Sequence, residues 1–307
     1  MTSTAVSVSG LTKRFGERIA VDHLDVELPR GVVAGFVGPN GAGKTTTMAM
    51  LLGLVRPTAG TGAVLGESIT TPAAYLHRVG ALIESPAFYS SLSGAGNLRV
   101  FATVAGHPTG AIPELLDAVG LDGRGDDRYR SYSRGMKQRL GIAAALLGDP
   151  ELLILDEPAN GLDPQGVQDM RSLIGRLAGT GRTVLVSSHD LSEVEQICDW
   201  LVLIDTGRSL YQGPTRALLD GTSAGLAVVP EHARDFASLR DLLVADGHHV
   251  VLDDDRLVVQ AGPADTGDVA ASVNRAAFAA GMVLVELSPM RTTLEDSYLA
   301  MVNGADR

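Results

Sequence analysis

The sequence predicts an α/β protein with a mostly parallel sheet, an antiparallel β subdomain and a helical insertion, followed by a small α+β, ferredoxin-like C-terminal domain. Three observations carry this. Val32 to Val37, Leu152 to Leu155 and Thr183 to Ser187 are short apolar runs of the kind buried on both faces of a parallel sheet. Residues 90 to 148 lack strand alternation and are interrupted by breakers such as Gly106-His107-Pro108. After Gly213-Pro214 the pattern changes to β-α-β-β-α-β, the order of a ferredoxin-like split unit. At 307 residues the chain also exceeds the ~250–300 at which one core stops growing, so two domains are expected, 1–219 and 220–307.

Along the chain, Val6-Ser7-Val8-Ser9 and Ile19 to Leu28 read as short strands of an antiparallel sheet. The strand Val32 to Val37 runs into a glycine-rich turn and a helix from Thr45 to Leu54. The helical insertion occupies about residues 85–150. A helix from Pro164 to Ala178 then separates the two later central strands. Cys198 falls at helical spacing with Val194, Ile197 and Leu201, which reads as a buried core thiol. In the last third, strands Leu226–Val229 and His248–Leu252 flank a helix carrying Phe236, Leu239, Leu242 and Leu243. The turn Asp253-Asp254-Asp255 leads to strand Arg256–Gln260, a helix with Val269, Val273, Ala277 and Ala280, and strand Val283–Leu287.

Composition narrows the function classes. With 45% apolar and 20% charged residues the chain is globular. No apolar run approaches the ~18–20 residues of a spanning helix, and Met1-Thr2-Ser3-Thr4 has no basic or apolar leader character, so the chain is expected to start and remain in the cytosol. The net charge of −11 argues against nucleic acid as a partner, which would require a basic patch. Most of that charge lies beyond Thr215, where 14 acidic residues face 7 basic ones.

Gly38-Pro39-Asn40-Gly41-Ala42-Gly43-Lys44-Thr45 fits the P-loop pattern, in which backbone N–H groups and a helix N-terminus surround phosphates. Lys44 would reach the terminal phosphates of ATP and the Thr45 hydroxyl would bind Mg²⁺, with Thr46 beside them. The strand Leu152 to Leu155 ends in Asp156 and Glu157, two carboxylates that a buried position tolerates only with a cation or a proton transfer to serve. Asp156 would hold Mg²⁺ and Glu157 would polarise the attacking water. Adjacent strand residues point to opposite faces, so this division of labour requires the strand to end or twist at Glu157.

The segment Tyr132-Ser133-Arg134-Gly135-Met136-Lys137-Gln138-Arg139, about twenty residues before Asp156, resembles the signature of the ABC ATPases, whose common form there is Leu-Ser-Gly-Gly-Gln. Ser133 and Gly135 match, whereas Tyr132, Arg134 and Met136 depart in the manner of the drug-resistance exporter branch. The resemblance implies a P-loop NTPase core whose signature segment closes on the γ-phosphate held by a second copy, so that a homodimer sandwiches ATP. It implies further roles. Asp163, in Asn160-Gly161-Leu162-Asp163, looks like part of the D-loop linking the two sites, and equally caps a helix. His189 matches the switch histidine that contacts the γ-phosphate, and Phe15 takes the place of the adenine-stacking aromatic, with a core phenylalanine as the alternative. Glu84 occupies the place of the Q-loop glutamine near Mg²⁺; a glutamate there is similar to bacitracin-type and lantibiotic-immunity exporters. A carboxylate at 84 is expected to join Asp156 and Glu157 around one metal. The implied protein is an ATP-hydrolysing subunit at the cytoplasmic face of the membrane, powering export of a drug or peptide antibiotic through a separate permease. The alternatives are an importer subunit and a non-transport ABC ATPase.

Overall fold

The computed structural model describes residues 4–84, 87–221, 225–253, 255–261, 265–290 and 293–305. The leader reading on Met1–Ser3 and the middle of the Asp253–Asp255 turn lie outside the described residues. Contacts divide the chain into two units, Met1–Thr215 and Arg216–Arg307; the expected division was after residue 219.

In the first unit, β1 (Thr4–Phe15) and β2 (Arg18–Pro29) form an antiparallel hairpin. Leu24, Val26 and Leu28 of β2 are buried while Asp25 and Glu27 are exposed, the period-two pattern of a strand with one face on the core. Next come β3 (Val33–Val37), α1 (Lys44–Leu51), β4 (Ala59–Val64), β5 (Glu67–Ser68) and β6 (Val79–Leu82). The insertion contains α2 (Gly94–Ala105), α3 (Ile112–Ala118) and α4 (Arg134–Ala145). The unit finishes with β7 (Leu152–Leu155), α5 (Pro164–Ala178), β8 (Thr183–Ser188), α6 (Leu191–Glu195), β9 (Trp200–Asp205) and β10 (Arg208–Pro214), and α7 (Thr215–Gly221) begins at the boundary.

Two sheets result. One is antiparallel, in the order β2-β1-β4-β5; the other has the order β10-β9-β3-β8-β7-β6 and is parallel except for β10. All four residues of β7 are 0% exposed, as a strand covered on both faces must be. The sheets share one core in which Leu28 of β2, Phe36 of β3, Met48 and Leu51 of α1, Ile154 of β7 and Val202 of β9 are buried together. Burying each such side chain contributes about 1.5–3 kcal/mol.

Sequence periodicity missed β4, β5, β6, β9 and β10. It also misread the surroundings of Cys198, because α6 stops at Glu195 and Leu201 belongs to β9. The thiol is nevertheless buried, and burial raises its pKa far above the ordinary thiol range. A Cβ on Gly35 would come within 3.1 Å of its sulfur, so the α6–β9 connection packs directly on the β3 backbone.

The second unit runs β11 (Gly225–Pro230), α8 (Phe236–Ala245), β12 (Val250–Asp253), β13 (Arg256–Gln260), α9 (Thr266–Ala279), β14 (Leu284–Met290) and α10 (Leu294–Ala305). Its sheet is antiparallel in the order β12-β13-β11-β14. Leu226, Val228, Leu257 and Val259 pack against Leu239, Leu243, Val273 and Ala277 of its two crossing helices. Among the described residues no helix is long and apolar enough to cross a membrane.

Candidate functional site

The parallel neighbours β3, β8, β7 and β6 end at one edge of the sheet, where ligands of open α/β sheets collect. Beyond β3 the chain turns through Gly38–Gly43 and enters α1 at Lys44. Gly43 sits at φ 104°, and a Cβ there would lie 2.6 Å from the Ala20 carbonyl oxygen, so both conformation and space require glycine. The loop is held by Ala42 N–H donating to the Pro39 carbonyl at 3.1 Å and by Gly207 N–H donating to the Ala42 carbonyl at 3.0 Å.

Lys44 is turned back into this loop. Its ammonium donates to the carbonyl oxygens of Gly38 at 2.7 Å and Pro39 at 3.2 Å, and lies 3.7 Å from Glu157 Oε1. Burial pushes its pKa below the usual lysine value, while the charges of Glu157 and Asp156 oppose that shift. Thr45 Oγ1 donates to Asp156 Oδ2 at 2.7 Å, and Ser187 Oγ donates to the other oxygen of the same carboxylate. These are oxygen donors, as a hard cation requires. They suit Mg²⁺ that takes its remaining ligands from water and phosphate, which is how that ion is usually bound.

β7 ends at Leu155 and Glu157 adopts a left-handed φ of 46°, the break that separates its direction from that of Asp156. Its backbone N–H donates to Ser187 Oγ at 2.9 Å, and Asn160 Nδ2 donates to its Oε2 at 3.1 Å. His189, just past β8, brings Nδ1 to 3.2 Å from the same Oε2. Lys44, Thr45, Asp156, Glu157 and His189 thus form one connected group. Ser187 and Asn160 belong to it as well, and sequence reasoning did not assign them. The signal for Ser187 was a hydroxyl at the end of an apolar run, but its value depends on β8 lying beside β7, where Leu155 pairs with Val186.

An open cleft of about 310 Å³ runs from Lys44, Thr45 and Thr46 past Asn40, Gly41 and Gly43 to Phe15. Phe15 is 51% exposed, which overturns the core alternative, and the Lys13 ammonium lies 4.8 Å from its ring centroid. Ser133, Gly135 and Asp163 line a different cleft, which shares no residue with the first. Ser133 caps α4, its Oγ accepting from Met136 N–H at 3.2 Å, and Asp163 caps α5, its Oδ1 accepting from Gly166 N–H at 2.8 Å. Tyr132 is buried and donates its hydroxyl to the Arg124 carbonyl at 2.7 Å, so its departure from the common signature serves packing.

Glu84 is not gathered in. Among the described residues no three His, Cys, Asp or Glu side chains come together as a metal site, so the expected cluster of Glu84, Asp156 and Glu157 does not form within one chain. The reason is local. Glu84 is exposed on the turn beyond β6 with φ 58°, while Asp156 is engaged by Thr45 and Ser187.

Residues 21–160 match the ABC transporter family. The chain is 46% identical over 215 residues to the bacitracin transport ATP-binding protein BcrA of Bacillus licheniformis, covering 69% of this chain and 70% of that one. It is 36% identical over 315 residues to the daunorubicin resistance ATP-binding protein DrrA3 of Streptomyces coeruleorubidus, covering 100% and 98%. It is 40% identical to the lantibiotic transport ATP-binding protein SrtF of Streptococcus pyogenes over 67% of this chain and 90% of that one. The fold is similar to the ADP conformation of the ATP-binding cassette MJ1267, with TM-score 0.65 and 21% identity over 71% of this chain and 95% of that one.

Proposed function

Because the chain belongs to the ABC transporter family as an ATP-binding subunit, we propose that two copies bind ATP between them, hydrolyse it and drive export of a peptide antibiotic or drug through a separate permease. One observation carries the reading. The group around Lys44 and the Ser133–Gly135 segment line separate clefts of the same chain, which fits a site built from the first of one copy and the second of another. The transport and resistance relatives favour export over import. Work at the cytoplasmic face of the membrane, through the permease, follows from the same reading.

In this reading Lys44 exchanges the carbonyls of Gly38 and Pro39 for phosphate oxygens, and Phe15 offers an exposed ring to the adenine. Thr45 and Asp156 would hold Mg²⁺, which supplies charge neutralisation at the phosphates when bound. Glu157 takes the proton of the attacking water, held in place by Asn160 and His189. Ser133, Gly135 and Asp163 serve the partner copy's nucleotide.

Affinity capture from solubilised membranes is expected to recover a polytopic permease, and deletion of the gene is expected to sensitise cells to a membrane-active peptide or drug. Capture of no membrane protein together with unchanged sensitivity would overturn the transport reading.

Glu84 is the residue we propose meets the metal only in the nucleotide-bound dimer. Glu84→Gln is expected to retain ATP binding while shifting the Mg²⁺ dependence of hydrolysis, with Glu84→Ala costing more transport than Glu84→Gln. Superimposable Mg²⁺ titrations and equal peptide resistance for all three proteins would make Glu84 a plain loop residue.

Removal of residues 220–307 is expected to leave ATP binding measurable, because every residue of the proposed site lies in the first unit. A truncated protein that folds by circular dichroism but binds no ATP would contradict this.

A further inference from the structure

Arg134 stands where the common signature has glycine, and its guanidinium lies flat against Gly161. A Cβ built on Gly161 would come within 2.3 Å of Arg134 Cζ, 2.4 Å of Nη1 and 2.6 Å of Nη2. Only a residue without a side chain lets the planar group settle on the backbone there, and Gly161 also holds a left-handed φ of 71°. Gly161 belongs to a tight turn that starts at Glu157: Asn160 N–H donates to the Glu157 carbonyl at 3.1 Å, and Leu162 N–H to the Ala159 carbonyl at 3.2 Å. The side chain of Asn160, one residue before the covered glycine, donates to Glu157 Oε2. Further along α4, Arg139 Nη2 donates to Asp169 Oδ2 of α5 at 2.8 Å, which fixes the helix that carries Arg134 relative to the helix that follows the turn. Among the described residues the exposed Arg134 guanidinium makes no hydrogen bond or ion pair, and Gly161 is the backbone it rests on.

We propose that Arg134 is a positioning residue for hydrolysis: its guanidinium latches the turn Glu157–Leu162 through Gly161, and Asn160 passes that restraint to the Glu157 carboxylate. The segment that meets the partner's nucleotide is thereby tied, within one chain, to the carboxylate acting on its own nucleotide. This rests on the reading of Glu157 as the base. The latch depends on the flat shape of the guanidinium rather than on its charge, so lysine does not replace it.

The test is a double-mutant cycle on the full-length protein with Arg134→Ala, Gly161→Ala and both changes together, alongside Arg134→Lys. Each single change is expected to lower kcat by roughly five- to twentyfold, as for coupled neighbours, with KM for ATP unchanged. The double variant is expected to be no slower than the slower single one, and Arg134→Lys to behave as Arg134→Ala. The strain of alanine at a left-handed position is present in both backgrounds of the cycle and cancels. Amide hydrogen exchange of the free protein reads the latch without hydrolysis: peptides covering 158–163 are expected to exchange faster in Arg134→Ala and Arg134→Lys, with α1 peptides unchanged. Additive effects in the cycle, full activity of Arg134→Lys, or unchanged exchange at 158–163 would each overturn the proposal. If exchange rises but kcat does not, the positioning role is wrong. If Glu157→Gln hydrolyses like wild type, the reading of Glu157 fails, and the exchange arm still decides the latch.

Discussion

Glu157→Gln is expected to reduce ATP turnover by about 10²–10⁴-fold, the range for loss of a general base, while ATP binding persists. The amide keeps the shape of the side chain, so the Asn160 hydrogen bond at 3.1 Å can be retained through its carbonyl. What disappears is the basic oxygen and one negative charge. That charge faces the cleft in which the nucleotide's phosphates are proposed to sit, and two like charges ~6 Å apart repel by ~3 kcal/mol at an effective dielectric of ~20. Removing it does not weaken binding of a polyanion. ATP held without hydrolysis is then expected to trap the dimer. A sizing column run with Mg-ATP should show a two-copy species for the variant, and its steady-state rate completes the test. A variant that hydrolyses at more than about half the wild-type rate would remove Glu157 from the base role.

Lys44→Ala acts earlier. The ammonium is buried among the loop carbonyls and two carboxylates, and burial already opposes its charge. A triphosphate entering the cleft offers it better partners than the carbonyls of Gly38 and Pro39. Charge-assisted hydrogen bonds contribute about 1.5–3 kcal/mol, so loss of the group is expected to raise the Kd for ATP by roughly 10- to 100-fold and to lower turnover with it. The two variants therefore separate binding from chemistry: Lys44→Ala loses both, Glu157→Gln only the second. Titration with a fluorescent ATP analogue measures the difference, and a thermal melt checks that the loop still folds. Unchanged affinity in a folded Lys44→Ala protein would contradict the phosphate role.

Much of the site was legible in the chain because the features that build it are local. Glycines bracket a turn, an apolar run ends in two carboxylates, and Asp163-Pro164 caps a helix whose observed span, Pro164–Ala178, matches the expected one. Each depends on residues within a few positions of one another. The β-α-β-β-α-β order of the second unit was legible for the same reason, since strand and helix periodicities are read within single elements.

What the residues by themselves determined, then, is the identity of the elements and the chemistry they carry: a phosphate-cradling loop, paired carboxylates and a histidine after a strand. The tertiary structure decided which of these meet. Only the neighbour order β3-β8-β7 sets Ser187 against Asp156 and His189 beside Glu157. Only the packing of the insertion lays Arg134 on Gly161. Those outcomes rest on contacts between residues as far apart in the chain as Val33 and Val184, whose register is set by burial across whole sheets; no local pattern encodes it.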